Sequence, residues 1–158
     1  MRKLLVLCLF VFLVSCKDKD KEAGVDPDYA PGFVGSYSTT TVDGNETTIQ
    51  NWDITNTDKN LLAINYTKTT RLAAAGTTVD IVQIYPLVDV KVNREDTFTI
   101  NEVVDVQQTT SKPLRQRVEG EAKKTTNSAG NAQLDITIKY TDSSSGASYE
   151  KYLEFKKK

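Results

Sequence analysis

From Phe33 to Phe155, apolar and polar residues alternate with a period close to two, the mark of strands with one buried face. Thr, Val, Ile and Tyr dominate this region, and all suit a pleated, half-buried surface. The alternation predicts strands over residues 33–42, 47–55, 62–71, 79–85, 87–92, 98–106, 114–126, 134–140 and 149–155. Asp43-Gly44-Asn45 joins the first two, because Asp-Gly supplies the positive φ of a tight hairpin. Polar clusters at 56–60, 93–96, 111–113, 127–131 and 142–146 supply further turns. Ala73-Ala74-Ala75-Gly76 is too short for a helix that stands alone and reads as a loop tip.

Three positions interrupt the pattern. Pro86 cannot donate to a ladder, so it belongs on an edge, at a bulge or between two shorter strands, and the last is the expectation. Asn101 marks a kink between Ile100 and Val104. Gly120, in mid-strand, implies a bend or a bulge. The total is about eight to ten strands with short connections and no helix long enough for a parallel crossover. The fold class is therefore all-β and antiparallel. An up-and-down meander barrel removes exposed edges by closing. An immunoglobulin-like β-sandwich is the alternative.

The first 32 residues follow a different rule. Arg2 and Lys3 precede an apolar run from Leu4 to Val14, and small Ser15 precedes Cys16. This is the layout of a secretory signal. The run is too short to span a bilayer, which takes about 20 residues. Leu13-Val14-Ser15-Cys16 resembles the lipobox of bacterial lipoproteins, which implies cleavage before Cys16 and acylation of its thiol. Each buried methylene contributes about 0.8 kcal/mol, so two or three chains anchor a protein stably. Lys17-Asp18-Lys19-Asp20-Lys21-Glu22 alternates in sign and carries no apolar residue. Such a segment buries nothing and acts as a tether, with a reach of about 45 Å if extended. It also resembles the charged export signal of surface lipoproteins of Bacteroidota, although here lysines separate the acids. The expected organisation is a signal peptide over 1–15, a lipidated cysteine and tether over 16–32, and one domain over 33–158. The expected location is the outer membrane, on either its periplasmic or its outer face.

Phe33-Val34-Gly35-Ser36-Tyr37 is similar to the opening of lipocalin-like (calycin-type) barrels, where a Gly-x-Trp plugs the closed end. Tyr37 stands at the tryptophan position. The arginine that covers that ring in the family has no clear counterpart near the last strand. Lipobox, charged tether, Gly-x-aromatic opening and meander together resemble the lipocalin-like lipoproteins of Bacteroidota. The resemblance implies a barrel whose mouth takes a ligand.

Composition narrows the chemistry. There is no histidine, which removes imidazole metal sites and His-dependent catalysis. The two cysteines are Cys8, in the leader, and Cys16, at the lipidation site. A net charge of -1 with no basic stripe gives no reason to expect nucleic acid. No phosphate-cradling or calcium loop appears, so no cofactor is expected. Asp53, Asp80, Asp89, Glu102, Asp105, Glu119, Glu121 and Asp135 mostly alternate with apolar residues, which places them outward. Arg115, Arg117, Lys123 and Lys124 share one polar strand, which suits either a solvated face or an anionic partner. The expectation is a non-enzymatic binding module for a small apolar molecule or a glycan fragment. Its cavity would be lined by Tyr37, Trp52, Tyr66, Ile84 and Phe98. The alternative is a structural or protein-interaction lipoprotein with a packed interior.

Overall fold

A computed structural model describes residues 26–74, 76–109 and 114–158. The signal peptide, Cys16, the tether up to residue 25 and the turn at 111–113 lie outside the described residues. A 3-10 turn (Ala30–Phe33) leads into β1 (Gly35–Asp43), β2 (Glu46–Asp58), β3 (Leu61–Ala74) and β4 (Thr77–Arg94). β5 (Thr97–Gln108), β6 (Leu114–Thr126), β7 (Ala132–Asp142) and β8 (Ser148–Lys157) complete the chain. The strands pair in sequence order, all antiparallel, and β8 returns to β1 to close a barrel. The meander barrel expected from the alternation is thus the fold, with eight strands, and the sandwich is excluded.

The strands run longer than the sequence pattern suggested. β3 and β4 continue to a tight connection in which Ala74 pairs with Thr77, so Ala73 and Ala74 are strand rather than loop tip. Toward β6, Asn101 sits within a ladder that is continuous from Thr97 to Val106, while toward β4 pairing lapses over this stretch. Pro86 does not divide β4, because the barrel gives it a place where no donor is needed. Pairing between β4 and β5 is interrupted between Ile84 and Lys91. On the β3 side a bulge puts Leu87 opposite Ile64 and Val90 opposite Leu62. Within that gap the Glu102 carboxylate accepts the Val88 and Asp89 backbone N–H groups at 2.9 and 3.0 Å. A side chain therefore takes the place of the missing ladder acceptors.

Gly120 has a different cause from the bend or bulge expected. Its register with both neighbours is unbroken. A Cβ there would lie 2.7 Å from the Thr137 carbonyl oxygen and 3.0 Å from Ile136 Cδ1. Close approach of β7 is what demands glycine.

The closed end is built from aromatic rings. Phe33 is fully buried, and Pro31 favours the 3-10 turn that carries it, so it plugs the barrel rather than opening β1. Its ring meets Phe98 edge-on at 5.2 Å. Trp52 stacks on Phe155 at 4.0 Å and lies 6.2 Å from Phe98. Tyr37 is buried beside them, and the Lys157 ammonium stands 5.7 Å from its ring centre while donating to the Val34 carbonyl at 3.1 Å. Lys157 thus places a cation over the Tyr37 ring. Its stem crosses Gly35, where φ is +143° and a Cβ would meet Lys157 Cε at 2.8 Å. Residues just before the plug are tied down as well. Asp28 accepts the Asn60 backbone N–H at 2.9 Å, and Asn60 Oδ1 accepts the Tyr29 N–H at 2.8 Å. The tether expected through residue 32 therefore has its last residues engaged by the β2–β3 turn.

Replacing Trp52 with Ala should cost about 3–5 kcal/mol of folding stability, the usual range for deleting a large core aromatic. Urea unfolding followed by far-UV circular dichroism measures it.

Candidate ligand site at the barrel mouth

Alternation along each strand decides which side chains enter the barrel. Thr48, Gln50, Trp52 and Ile54 of β2 point inward, as do Leu62, Ile64 and Tyr66 of β3. From the closed end the interior rings form a continuous column. Trp52 contacts Tyr66 at 5.9 Å, Tyr66 stacks on Tyr85 at 4.8 Å, and Tyr85 lies 5.7 Å from Tyr140. Tyr140 stacks in turn on Tyr149 at 4.8 Å. Of the five residues expected to line a deep cavity, Tyr37, Trp52, Tyr66 and Phe98 are core residues packed within this column or at its base. Ile84 lies on the opposite face of β4, because its neighbour Tyr85 takes the inward position. The apolar stretch from Ile81 to Tyr85 hides that choice in the sequence, since Ile and Tyr compete for one face.

The hydroxyls of Tyr66, Tyr85 and Tyr140 are satisfied by one another and by two glutamines. Tyr66 Oη donates to Gln50 Oε1 and lies 2.7 Å from Tyr140 Oη, which leaves Tyr140 to donate to Tyr66. Tyr85 Oη donates to Gln116 Oε1 at 3.3 Å. Gln50 and Gln116 are buried glutamines whose cost is met by these bonds. Burial pushes the Tyr66 and Tyr140 hydroxyls well above the ordinary tyrosine value; neighbouring phenols raise Tyr66 further, while the hydrogen bond with Tyr66 partly opposes the rise at Tyr140. Tyr85 and Tyr149 are also raised, chiefly by burial.

Above this layer the barrel opens into a cup of about 200 Å³. Glu46, Thr48 and Gln50 of β2, Lys68 of β3, Tyr140 of β7, and Tyr149, Lys151 and Leu153 of β8 line it. Lys68 is half-buried, and its ammonium lies 5.9 and 5.6 Å from the Tyr140 and Tyr149 ring centres. Desolvation lowers its pKa, the Lys151 ammonium lowers it further, and Glu46 opposes both. Lys151 reaches across to Thr41 Oγ1 at 3.2 Å, and Glu46 accepts the Thr48 hydroxyl at 3.0 Å. Neither lysine forms an ion pair among the described residues. On the rim, Asp142 accepts the backbone and hydroxyl groups of Ser144 and Ser145, which pull its carboxyl down to about 2. Glu46 is the carboxylate of the cup, and among the described residues no second one joins it there.

The seam beside the cup is the weakest in the barrel. β1 and β8 pair at Tyr37 with Lys157 and at Ser38 with Lys156, and Lys158 N donates to Ser36 O at 2.9 Å. Toward the mouth the two strands part, leaving a groove of about 370 Å³ lined by Ser38, Thr39, Thr40, Glu154 and Lys156. Arg115, Arg117 and Lys123 face solvent on β6, while Lys124 bends over the Phe33 ring at 5.3 Å. Sequence reasoning missed the lysines of the cup. Lys68 sits where Leu62, Ile64 and Tyr66 place every second residue inside, and that register was the available signal.

Tyrosine ionisation gives the cup a measurable pH signature. Unfolded tyrosine ionises near pH 10, and burial holds Tyr66 and Tyr140 above that in the folded state. Their contribution is fully present below about pH 10 and is lost as pH rises, because the unfolded chain releases those protons first. The urea midpoint should fall above pH 10, with the 295 nm absorbance of the buried tyrosines rising only as the protein unfolds. Tyr66→Phe should cost roughly 1–3 kcal/mol, because Gln50 loses its donor. Compared with known proteins, the chain matches no family model, no curated protein and no solved structure.

Proposed function

We propose that this protein is a lipid-anchored, non-enzymatic binding module of the bacterial cell envelope that takes a small ligand at its barrel mouth. The observation that carries the ligand reading is the cup. A packed barrel end needs no half-buried ammonium, yet Lys68 points inward over two tyrosine rings without a carboxylate partner among the described residues. The cup is smaller than the about 300–1,000 Å³ of sites for drug-sized ligands, so it suits a small molecule or one end of a larger one, such as a glycan fragment. The deep apolar cavity expected between Tyr37, Trp52, Tyr66 and Phe98 gives way in this reading to a shallower, polar-rimmed site, because those rings fill the interior.

The anchor rests on Leu13-Val14-Ser15-Cys16 and the charged tether behind it. With the eight-stranded meander and the Gly35-Ser36-Tyr37 opening, this layout supports kinship with the lipocalin-like lipoproteins of Bacteroidota. Outer-membrane placement follows from the same layout, and protease treatment of intact cells distinguishes the outer from the periplasmic face.

A second reading is a protein-interaction lipoprotein, favoured by the parted seam. The edge of β8 from Ser148 toward Phe155 lacks a ladder partner on β1. Such an edge accepts an added strand. Under that reading a partner would slow amide exchange along Ser148–Lys157 and leave the cup open.

Two experiments test the proposal. Cells fed an alkyne-labelled palmitate should label the wild-type protein, and Cys16→Ala should abolish the label and release the protein from the membrane fraction. A Cys16→Ala protein that stays in the membrane overturns the anchor. Native mass spectrometry of protein purified from its own envelope should show a bound small molecule that Tyr149→Ala loses. A ligand-free wild-type spectrum beside a slowed β8 edge would favour the second reading.

A further inference from the structure

We propose that the cup is selective for a small organic monoanion, a carboxylate with a planar or apolar body, with Lys68 and Lys151 holding the charged group. This rests on the reading of the mouth as a ligand site and names the ligand class.

The two ammonium groups enter the same cup from β3 and β8. Lys151 is near enough to disfavour the charge on Lys68, and the surrounding wall removes water from Lys68. A half-buried cation is ordinarily matched by an anion. The available internal anion, Glu46, faces two lysines and already accepts the Thr48 hydroxyl. The ring faces of Tyr140 and Tyr149 offset part of the cost by cation–π attraction but cannot neutralise the second ammonium. The lining therefore carries one excess positive charge, which a carboxylate cancels and a dianion would overshoot against Glu46. A carboxylate between the two nitrogens also gains charge-assisted hydrogen bonds, about twice as strong as neutral ones.

The wall beside the charges sets the rest of the ligand, and Lys68 Nζ donates to Tyr149 Oη there at 3.4 Å. Tyr149 stacks on Tyr140 with one face and is 46% exposed, so its other side is open toward solvent at the mouth. Leu153 adds an apolar contact. A planar ring or short acyl body lying there extends the stacked column by one more layer. Thr48 and Gln50, at the cup floor, are hydrogen-bond groups that a hydroxylated body would reach.

The test uses three probes that share a phenylethyl body on the full-length protein: 3-phenylpropanoate, its isosteric amide 3-phenylpropanamide, and the cation 3-phenylpropylamine. Titration calorimetry gives affinities, and the Tyr140 and Tyr149 ring resonances report where each binds. The acid should bind, the amide roughly tenfold more weakly, and the amine should leave the resonances unmoved. Lys68→Met and Lys151→Met should each lose roughly tenfold for the acid and nothing for the amide, while Lys68→Arg should keep most of the affinity. Thermal unfolding of Lys68→Met should match or exceed wild type, since a desolvated cation is removed, so lost binding will not reflect lost folding. Equal binding of acid and amide, or an acid affinity indifferent to both methionine variants, overturns the anion selectivity and leaves the mouth as a ligand site. If none of the three probes moves the Tyr140 or Tyr149 resonances, both the selectivity and the mouth site fall.

Discussion

The stack of Trp52 on Phe155 is the interaction on which the barrel depends. β1 and β8 are joined by two residue pairs and one further bond, too few to hold a closed sheet by backbone alone. Trp52 belongs to β2 and Phe155 to β8, so their 4.0 Å contact ties together strands on either side of β1. Phe33 and Phe98 extend the same cluster to the N-terminal plug and to β5. The cluster accepts a polar cost: Trp52 Nε1 and Tyr37 Oη are buried without a hydrogen-bond partner among the described residues. The burial of large aromatic surface outweighs those unpaired groups, since each aromatic contributes both area and ring–ring contact.

Polarity then grades along the barrel axis. Phenylalanine and tryptophan fill the closed end, tyrosines with mutually bonded hydroxyls fill the middle, and lysines, a glutamate and an exposed tyrosine face the mouth. The gradient follows access to water: a hydroxyl inside costs free energy unless it finds a protein partner, while an ammonium at the mouth retains part of its hydration. The same gradient leaves the mouth as the place where a solute meets both charge and ring surface.

Several features show how much was legible beforehand. The inward stripe of Leu134, Ile136, Ile138 and Tyr140 was plain, because one apolar face against solvent forces a strict period of two. Pro86 was legible as an edge, a bulge or a break, but which of them was not, because Glu102, which bonds the freed N–H groups, lies on another strand. Lys157 lies between Lys156 and Lys158 in a basic C-terminal run, and only closure of the ring brings it over Tyr37. The cup was hidden for the same reason. Lys68 and Lys151 are 83 positions apart in the chain, and each alone reads as an ordinary surface lysine.

Local chemistry along the chain determined the antiparallel strands, most of their turns, the class of the fold and the resemblance of Leu13-Val14-Ser15-Cys16 to a lipidation site. These depend on neighbours in sequence: a two-residue period, Asp-Gly at a hairpin, an apolar run before a cysteine. Tertiary structure alone decided that eight strands close, that aromatic rings fill the interior to the level of Tyr140, and that two lysines face one cup. Closure and filling depend on side chains from distant strands sharing one volume, and no local pattern records how that volume is divided.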